Sequence, residues 1–376
     1  MAFLDYDGLK RYTEKLKSWV SGSFVPKTPT SWAEIQREVQ LGHGAVLYPV
    51  GSQLTLKHSV YGNIAMDVVS HDTVKKYGDE NAHTMTLLAH DCIANLQFDS
   101  AEAMYYAATE LAAGTYNFTV GAAYASWAAG TYQFTLTQAV PAGGQLCIGG
   151  NSGTALAALK VNSYASASST DVIESAAITS GAEGTSLGTL GTELNHPHRI
   201  SYGSNNYKES AMRQFLNSDA AAGSVWTAQT YFDRPPTWAT STAGFLNGCD
   251  ADFLDAIATA VVKCSANGTY ECPASMGGTV TKNTAYELTD KIFLASVTEV
   301  GLSDGGVADG STLFQYYDGA ENADRIKTLN GNAYYWWLRT PYAWNGYYVR
   351  YVNTDGSMRN HYAETTRGLV PACIIA

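Results

Sequence analysis

The sequence predicts an α+β fold rich in strands, and three observations carry that expectation. The first is composition: 35 glycines and 25 tyrosines among 376 residues, with 45% hydrophobic but only 15% charged side chains. That balance supports a real core and suits a loop-rich, strand-containing chain better than a helical enzyme. The second is an internal repeat. Ala112-Ala113-Gly114-Thr115-Tyr116-Asn117-Phe118-Thr119 recurs as Ala128-Ala129-Gly130-Thr131-Tyr132-Gln133-Phe134-Thr135, and each copy alternates aromatic with small polar residues after a glycine turn, a strand signature. The third is helical periodicity at residues 1–20.

Taken in order, residues 1–20 place Leu9, Tyr12, Leu16 and Trp19 on one helical face and Lys10, Arg11, Glu14, Lys15 and Lys17 on the other. A helix of this length is marginal alone in water, so its stripe needs a partner: the protein body or the same helix from neighbouring copies. Ser21, Gly22, Ser23, Pro26 and Pro29 then make a linker. Residues 1–34 are thus expected to serve assembly, and 35–376 to form the main domain. Strands are expected at Val46–Val50 and Leu54–His58, and a helix at Ser100–Ala108 with Ser100 as its cap. Residues 110–190, which hold the repeat, read as a β-rich insertion with a Ser/Gly/Ala-rich outer part from Ala165 to Gly191. Across 200–219, Ser210 or Asn206 suits a helix cap, and Met212, Phe215 and Leu216 a buried stripe. Residues 249–263 are apolar.

Charge and motifs exclude several function classes. The net charge is -11 with no basic run, so nucleic acid and anionic membranes are poor partners. No apolar run approaches the ~18 residues of a membrane span, and MAFLDYDGLK lacks a basic-then-apolar leader; neither membrane insertion nor a signal peptide is expected. Cys92, Cys147, Cys249, Cys264, Cys272 and Cys373 form no C-x-x-C pair and read as reduced, mostly buried thiols. His196-Pro197-His198 offers two imidazoles with no third ligand at recognisable spacing, and marks a turn more readily than a metal site. No cofactor is expected, beyond a structural Ca²⁺ that the aspartates of loop 303–310 would suit. Nucleophile-elbow, P-loop and dinucleotide motifs are absent.

The informative stretch is 331–376. Trp336, Trp337, Leu338, Arg339, Thr340 and Pro341, then Val349 and Val352, then Gly368 to Ile375 read as frame. Interleaved are Tyr335, Tyr342, Trp344, Asn345, Tyr347, Tyr348, Arg350, Tyr351, Asn353, Arg359, Asn360, His361 and Tyr362. Tyr, Trp, Arg and Asn give rigid contact area and adaptable hydrogen bonds at low entropic cost, as in matured binding surfaces. Pure packing explains part of the cluster, but Asn, Arg and His are poor core residues.

W-W-L-R-T-P at 336–341, N-T-D-G-S at 353–357 and R-G-L-V-P-A-C-I-I at 367–375 resemble the end of C-type lectin folds of the formylglycine-generating-enzyme type. More narrowly, they resemble the variable proteins of diversity-generating retroelements and related phage tail-tip proteins. The resemblance implies a C-type lectin-like domain, with strands at Ile64–Val69 and Met85–His90, the family's second helix at 200–219 and its central strand, with an acidic end, at Thr289–Val300. It implies that the interspersed positions are diversified by adenine-directed mutagenesis. Tyr347, Tyr348, Tyr351, Asn360, His361 and Tyr362 fit that alphabet; Trp344 departs from it. It further implies a non-enzymatic receptor-binding protein of a virion tail, made in a bacterial cytoplasm. Its expected partners are a host-surface protein ligand and other tail proteins through residues 1–34, with a homotrimer suiting a tail. The sugar-binding calcium motifs of C-type lectins are absent. Two alternatives are a formylglycine-generating enzyme, which needs a reactive thiol pair that Cys373 in an apolar strand does not suggest, and a structural tail protein without a receptor.

Overall fold

A computed structural model describes residues 31–121, 128–148, 158–162, 172–229, 234–266, 284–303, 307, 309–343 and 346–376. The expected helix at 1–20, half of the candidate calcium loop, Cys272, Trp344 and Asn345 lie outside the described residues. The architecture is mixed α+β, strand-rich with few and short helices.

The run Pro371–Ile375 is apolar at every position, which suits a strand covered on both faces. All five of its residues are buried. It pairs with Met85–Ala89 on one side, and with Ile257–Ala258 and Ile292–Leu294 end to end on the other. Gly62–His71 and Gln53–His58 continue the sheet outward. Gln53–His58 alternates exposed and buried residues, as an edge strand with one wet face should. The helix Trp32–Gln40 starts at Ser31, whose hydroxyl accepts the Glu34 N–H at 3.2 Å. It buries Trp32, Ile35 and Val39, and Gln36 donates to the Ala376 carbonyl at 3.0 Å.

A second, five-stranded sheet carries the C-terminal pattern, in the order Met358–Tyr362, Tyr348–Val352, Trp336–Pro341, Thr366–Leu369, Ala94–Gln97. Trp336 and Trp337 are fully buried; as strand neighbours they point to opposite faces. Their indole N–H groups reach the carbonyls of Arg325 (3.0 Å) and Leu96 (2.9 Å). The strand is pinned by Arg339, whose fork donates to both Glu299 oxygens at 2.6 Å and to the Leu294 carbonyl. Both partners are buried, and the pair holds the guanidinium firmly charged, its pKa raised chiefly by the Glu299 charge against the cost of burial.

The octet repeat forms Gly114–Val120 and Gly130–Leu136, which pair antiparallel. That register sets the Tyr of each copy opposite the Phe of the other: Tyr116 stacks on Phe134 at 6.0 Å and Phe118 on Tyr132 at 5.8 Å. They belong to a second hydrophobic cluster, with Met104, Leu146, Leu194 and Ile200, separate from the main core.

Several expectations are corrected. Residues 46–50 are not a strand; Gly44–Leu47 is a helical turn. Ser100–Ala108 is not a helix, because Met104 and Ala107 donate their N–H groups to Leu146 and Gly144, making Tyr105–Tyr106 a short strand. The 200–219 helix is broken by Gly203 into Pro197–Tyr202 and Ala211–Leu216. Within it Ser210 does cap, and Met212, Phe215 and Leu216 are buried. The strand expected over 289–300 divides between Thr284–Asp290 and Ile292–Leu294, and a turn follows; Glu299, its acidic end, turns inward to Arg339.

Candidate functional site

Strand pairing decides which of the C-terminal polar and aromatic residues meet. In the hairpin Tyr348–Val352/Met358–Tyr362, Tyr348 faces Tyr362, Arg350 faces Asn360 and Tyr351 faces Arg359. Direct cross-strand partners share a face and neighbours alternate. One face therefore carries Tyr348, Arg350, Asn360 and Tyr362; the other carries Tyr351, Arg359 and His361. The turn between them is built by Asp355, whose Oδ1 accepts the Ser357 N–H, the Ser357 hydroxyl and the Asn353 amide. These hydrogen bonds, Ser357's foremost, hold its carboxyl below the usual range. Gly356 sits at φ +77° and passes so close to the Asn322 carbonyl that any Cβ would collide with it. Asn353 is thus a turn residue, its amide committed to Asp355.

The first face is a cluster of half-buried rings centred on Tyr362. Tyr202 lies parallel to it at 3.9 Å with 10° between planes. Tyr348 and Tyr347 approach it at 4.9 and 5.9 Å. His198 packs edge-on to Tyr347 at 4.6 Å, and Tyr342 packs edge-on to Tyr348 at 5.8 Å. Arg350 lies over the Tyr342 ring at 4.5 Å and donates to Asn360 at 3.4 Å. Burial, and then the hydrogen bond to Tyr362, push the Tyr348 phenol up; Tyr202 shifts the same way through burial and its Tyr362 neighbour. Both are neutral hydrogen-bonding groups at physiological pH.

Tyr202 reaches this face through a short, heavily anchored element. The His196 ring accepts the His198 N–H at 3.3 Å to start the helix, with Pro197 in its first turn; His-Pro-His is a helix start. Gly203 ends the helix at φ +79°, where a Cβ would sit 2.6 Å from the Ser100 carbonyl. Asp99 accepts the Ser204 N–H at 2.8 Å. Asn205 then ties the segment to the hairpin, its backbone donating to Gly346 and its side chain to the Tyr348 carbonyl at 2.9 Å. Burial raises the Asp99 carboxyl to about 8 and lowers the His196 imidazole to about 3.

The second face mixes buried and exposed side chains. Tyr351 is only 8% exposed and packs edge-on against Trp337 and Tyr335 at 6.2 and 6.1 Å. The expectation that Tyr351 is displayed, and Arg350 with it, is therefore corrected: both are buried, because the strand that carries them is sandwiched in the sheet. Tyr335, Asn360, His361 and Tyr362 are half-buried and Arg359 is exposed. The expected residues thus form two groups back to back and share no single open face. Sequence reasoning missed Tyr202 and His198, for which no signal linked residue 202 to residue 362. It also read Arg367 only as part of a motif.

Among the described residues no cluster of three His, Cys, Asp or Glu side chains is arranged for a metal. Cys92, Cys249 and Cys264 have thiols pushed up to about 12, chiefly by burial, and Cys373 is pushed up further. A polar cavity of about 340 Å³ lies elsewhere, between Lys75, Lys263, Glu287 and Glu299. In comparisons with known proteins, residues 169–376 match a family model described as a domain of unknown function, DUF6273. No curated protein and no solved structure matches the chain.

Proposed function

The chain belongs to the DUF6273 family, whose function is unassigned, and from that premise we propose that it is a binding protein. Its C-terminal sheet presents a tyrosine surface to a macromolecular ligand, and recognition occurs without reaction. The observation that carries this reading is the ring cluster around Tyr362, half-exposed on a frame of fully buried strands. Rigid aromatic area with phenol and amide hydrogen bonds at its rim is the chemistry of interface anchors. The raised thiol pKa values favour binding over a formylglycine-generating activity, which needs a thiolate.

In the fuller form of the proposal the fold is C-type lectin-like, of the formylglycine-generating-enzyme type, and the protein is a tail-tip receptor binder of a phage. Residues 1–34 attach it to other tail proteins, in a homotrimer, and several copies raise avidity for a host-surface protein. The support is the pattern of buried W-W-L-R-T-P and V-P-A-C-I-I strands with varied side chains between them.

Two tests bear on this. Binding of fluorescently labelled protein to intact bacterial cells should weaken at least about tenfold in a Tyr202→Ala/Tyr362→Ala variant, the size of a lost interface anchor. Unchanged binding by a variant with an intact melting transition overturns the recognition reading. Diversification predicts a near-identical copy of the 3′ coding segment beside a reverse-transcriptase gene, differing only at its adenines; a genome without one removes that part alone.

A further inference from the structure

Arg367 is a buried charge in this sheet that, among the described residues, has a donor without an acceptor. It is 8% exposed. Its guanidinium sits in the corner of two perpendicular rings, 4.2 Å from the centre of Tyr335 and 4.9 Å from that of Tyr351, with Trp337 at 6.0 Å. Among the described residues its single hydrogen bond runs from Nη1 to the adjacent Thr366 carbonyl at 2.7 Å. Its Nε–H is buried and has no acceptor. Two other buried arginines are supplied differently. Arg339 is bidentate to Glu299, and Arg325 donates to three carbonyls. No carboxylate of the described residues forms an ion pair with Arg367, in a chain of net charge -11.

The surroundings are those of an anion site. Tyr335 and Tyr351, 6.1 Å apart and nearly perpendicular, wall the guanidinium on two adjacent sides, and the unpartnered Nε–H is the donor left to bind. His361 is half-buried on the same sheet face; its Nδ1 accepts the Tyr362 N–H at 3.0 Å and meets the Thr365 hydroxyl at 2.8 Å. That network leaves the ring proton on Nε2, a second donor near the Arg367 charge, which helps to lower the His361 pKa after burial has done so. Exposed Arg359, opposite Tyr351 in register, adds a further cation to this face.

We propose that the Arg367 edge, walled by Tyr335 and Tyr351 and flanked by His361 and Arg359, binds an oxyanion carried by a ligand. A planar fork with a free donor matches the spacing of carboxylate or of a sulfate or phosphate group. The site lies on the sheet face opposite the Tyr362 cluster and stands whether or not that cluster binds a receptor.

The test is calorimetric titration of the full chain with sodium sulfate, sodium phosphate and sodium acetate in turn, at fixed ionic strength. Saturable binding of at least one is expected. Preference for sulfate or phosphate identifies a tetrahedral group, and preference for acetate a carboxylate. Arg367→Met should weaken it at least about tenfold and Arg367→Lys less, while Tyr362→Ala leaves it unchanged. Absence of saturable binding by all three anions, or equal affinity in folded Arg367→Met, overturns the proposal. If Arg367→Met does not fold, Tyr335→Ala decides: it keeps the charge but removes a half-exposed wall, and a several-fold weakening is expected, whereas unchanged affinity overturns the site.

Discussion

The two faces of the hairpin sheet use the same residue types to opposite ends. On one face, tyrosines stack on one another around Tyr362, and Arg350 is held by Tyr342 and Asn360. On the other, tyrosines close over a single guanidinium, and Arg367 keeps an unmatched donor. The difference teaches that ring content alone does not mark a binding surface. What matters is whether the polar groups among the rings are already satisfied: the first face offers area and shape, the second an unmet charge.

The largest expected effect comes from breaking what both faces share. Glu299→Ala leaves Arg339 charged and buried without its partner, which costs about 3–5 kcal/mol. Chemical denaturation should show that loss, and ligand binding at both faces should fall with it. A loss under ~1 kcal/mol would mean that the Trp336–Pro341 strand holds the two faces without the ion pair. Next in size is Tyr362→Ala. It removes the centre of the ring cluster from a half-buried position, so stability should fall by only about 1–2 kcal/mol, a modest share of a full core truncation, whereas binding by the tyrosine face should fall at least about tenfold. Anion binding at Arg367 should not move, which is what separates the faces experimentally.

How much of this was legible beforehand follows from periodicity. A central strand apolar on both faces announces itself, so Pro371–Ile375 and Trp336–Pro341 were readable as frame, and the repeat was readable as strands. The cross-strand pairing of Tyr116 with Phe134 was latent in the repeat itself, because an antiparallel pair of Tyr-x-Phe segments sets each Tyr opposite a Phe. The segment 100–108 misled because its helical propensity competes with non-local hydrogen bonds to residues 144–146, which no local window contains. The site was half legible for the same reason. Residue type identified Tyr347, Tyr348 and Tyr362, but face assignment needed the register, which sent Tyr351 inward. The contribution of Tyr202 depends on a contact spanning 160 positions (362 minus 202).

A smaller effect is expected from pH, confined to the tyrosine face. Asp99 sits beside Glu102 and Arg199 and holds Ser204, hence Asn205 and the hairpin. Its folded pKa, about 8, lies above the ordinary carboxyl value, so between roughly pH 4 and 8 the folded state binds the proton that the unfolded chain releases. Stability therefore falls as pH rises through that window, at no more than about 1.4 kcal/mol per pH unit. His196 acts in the other sense: its folded pKa, near 3, lies below the ordinary value, so stability falls as pH drops below about 6.5. The two slopes oppose each other below 6.5 and Asp99 acts without His196 above it. Melting temperatures from pH 6.5 to 8 should decline in the wild type and flatten in Asp99→Asn; parallel curves would remove Asp99 as the cause.

The smallest effect probes the repeat, which lies in the separate second core. Tyr132→Ala removes a cross-strand stack on Phe118 at 5.8 Å from a partly exposed position, worth about 0.5–1.5 kcal/mol beyond area. Ile200 belongs to that same core and sits in the helix that ends at Tyr202, so the repeat is mechanically upstream of the tyrosine face and not of the arginine face. Hydrogen exchange should therefore speed up in Gly114–Val120 and Gly130–Leu136 and, more weakly, in Pro197–Tyr202, while the N–H groups of Thr366–Leu369 beside Arg367 keep their wild-type protection. Faster exchange at Thr366–Leu369 of the same size would mean that the two cores open as one unit, and the faces would then be distinct in chemistry but not in stability.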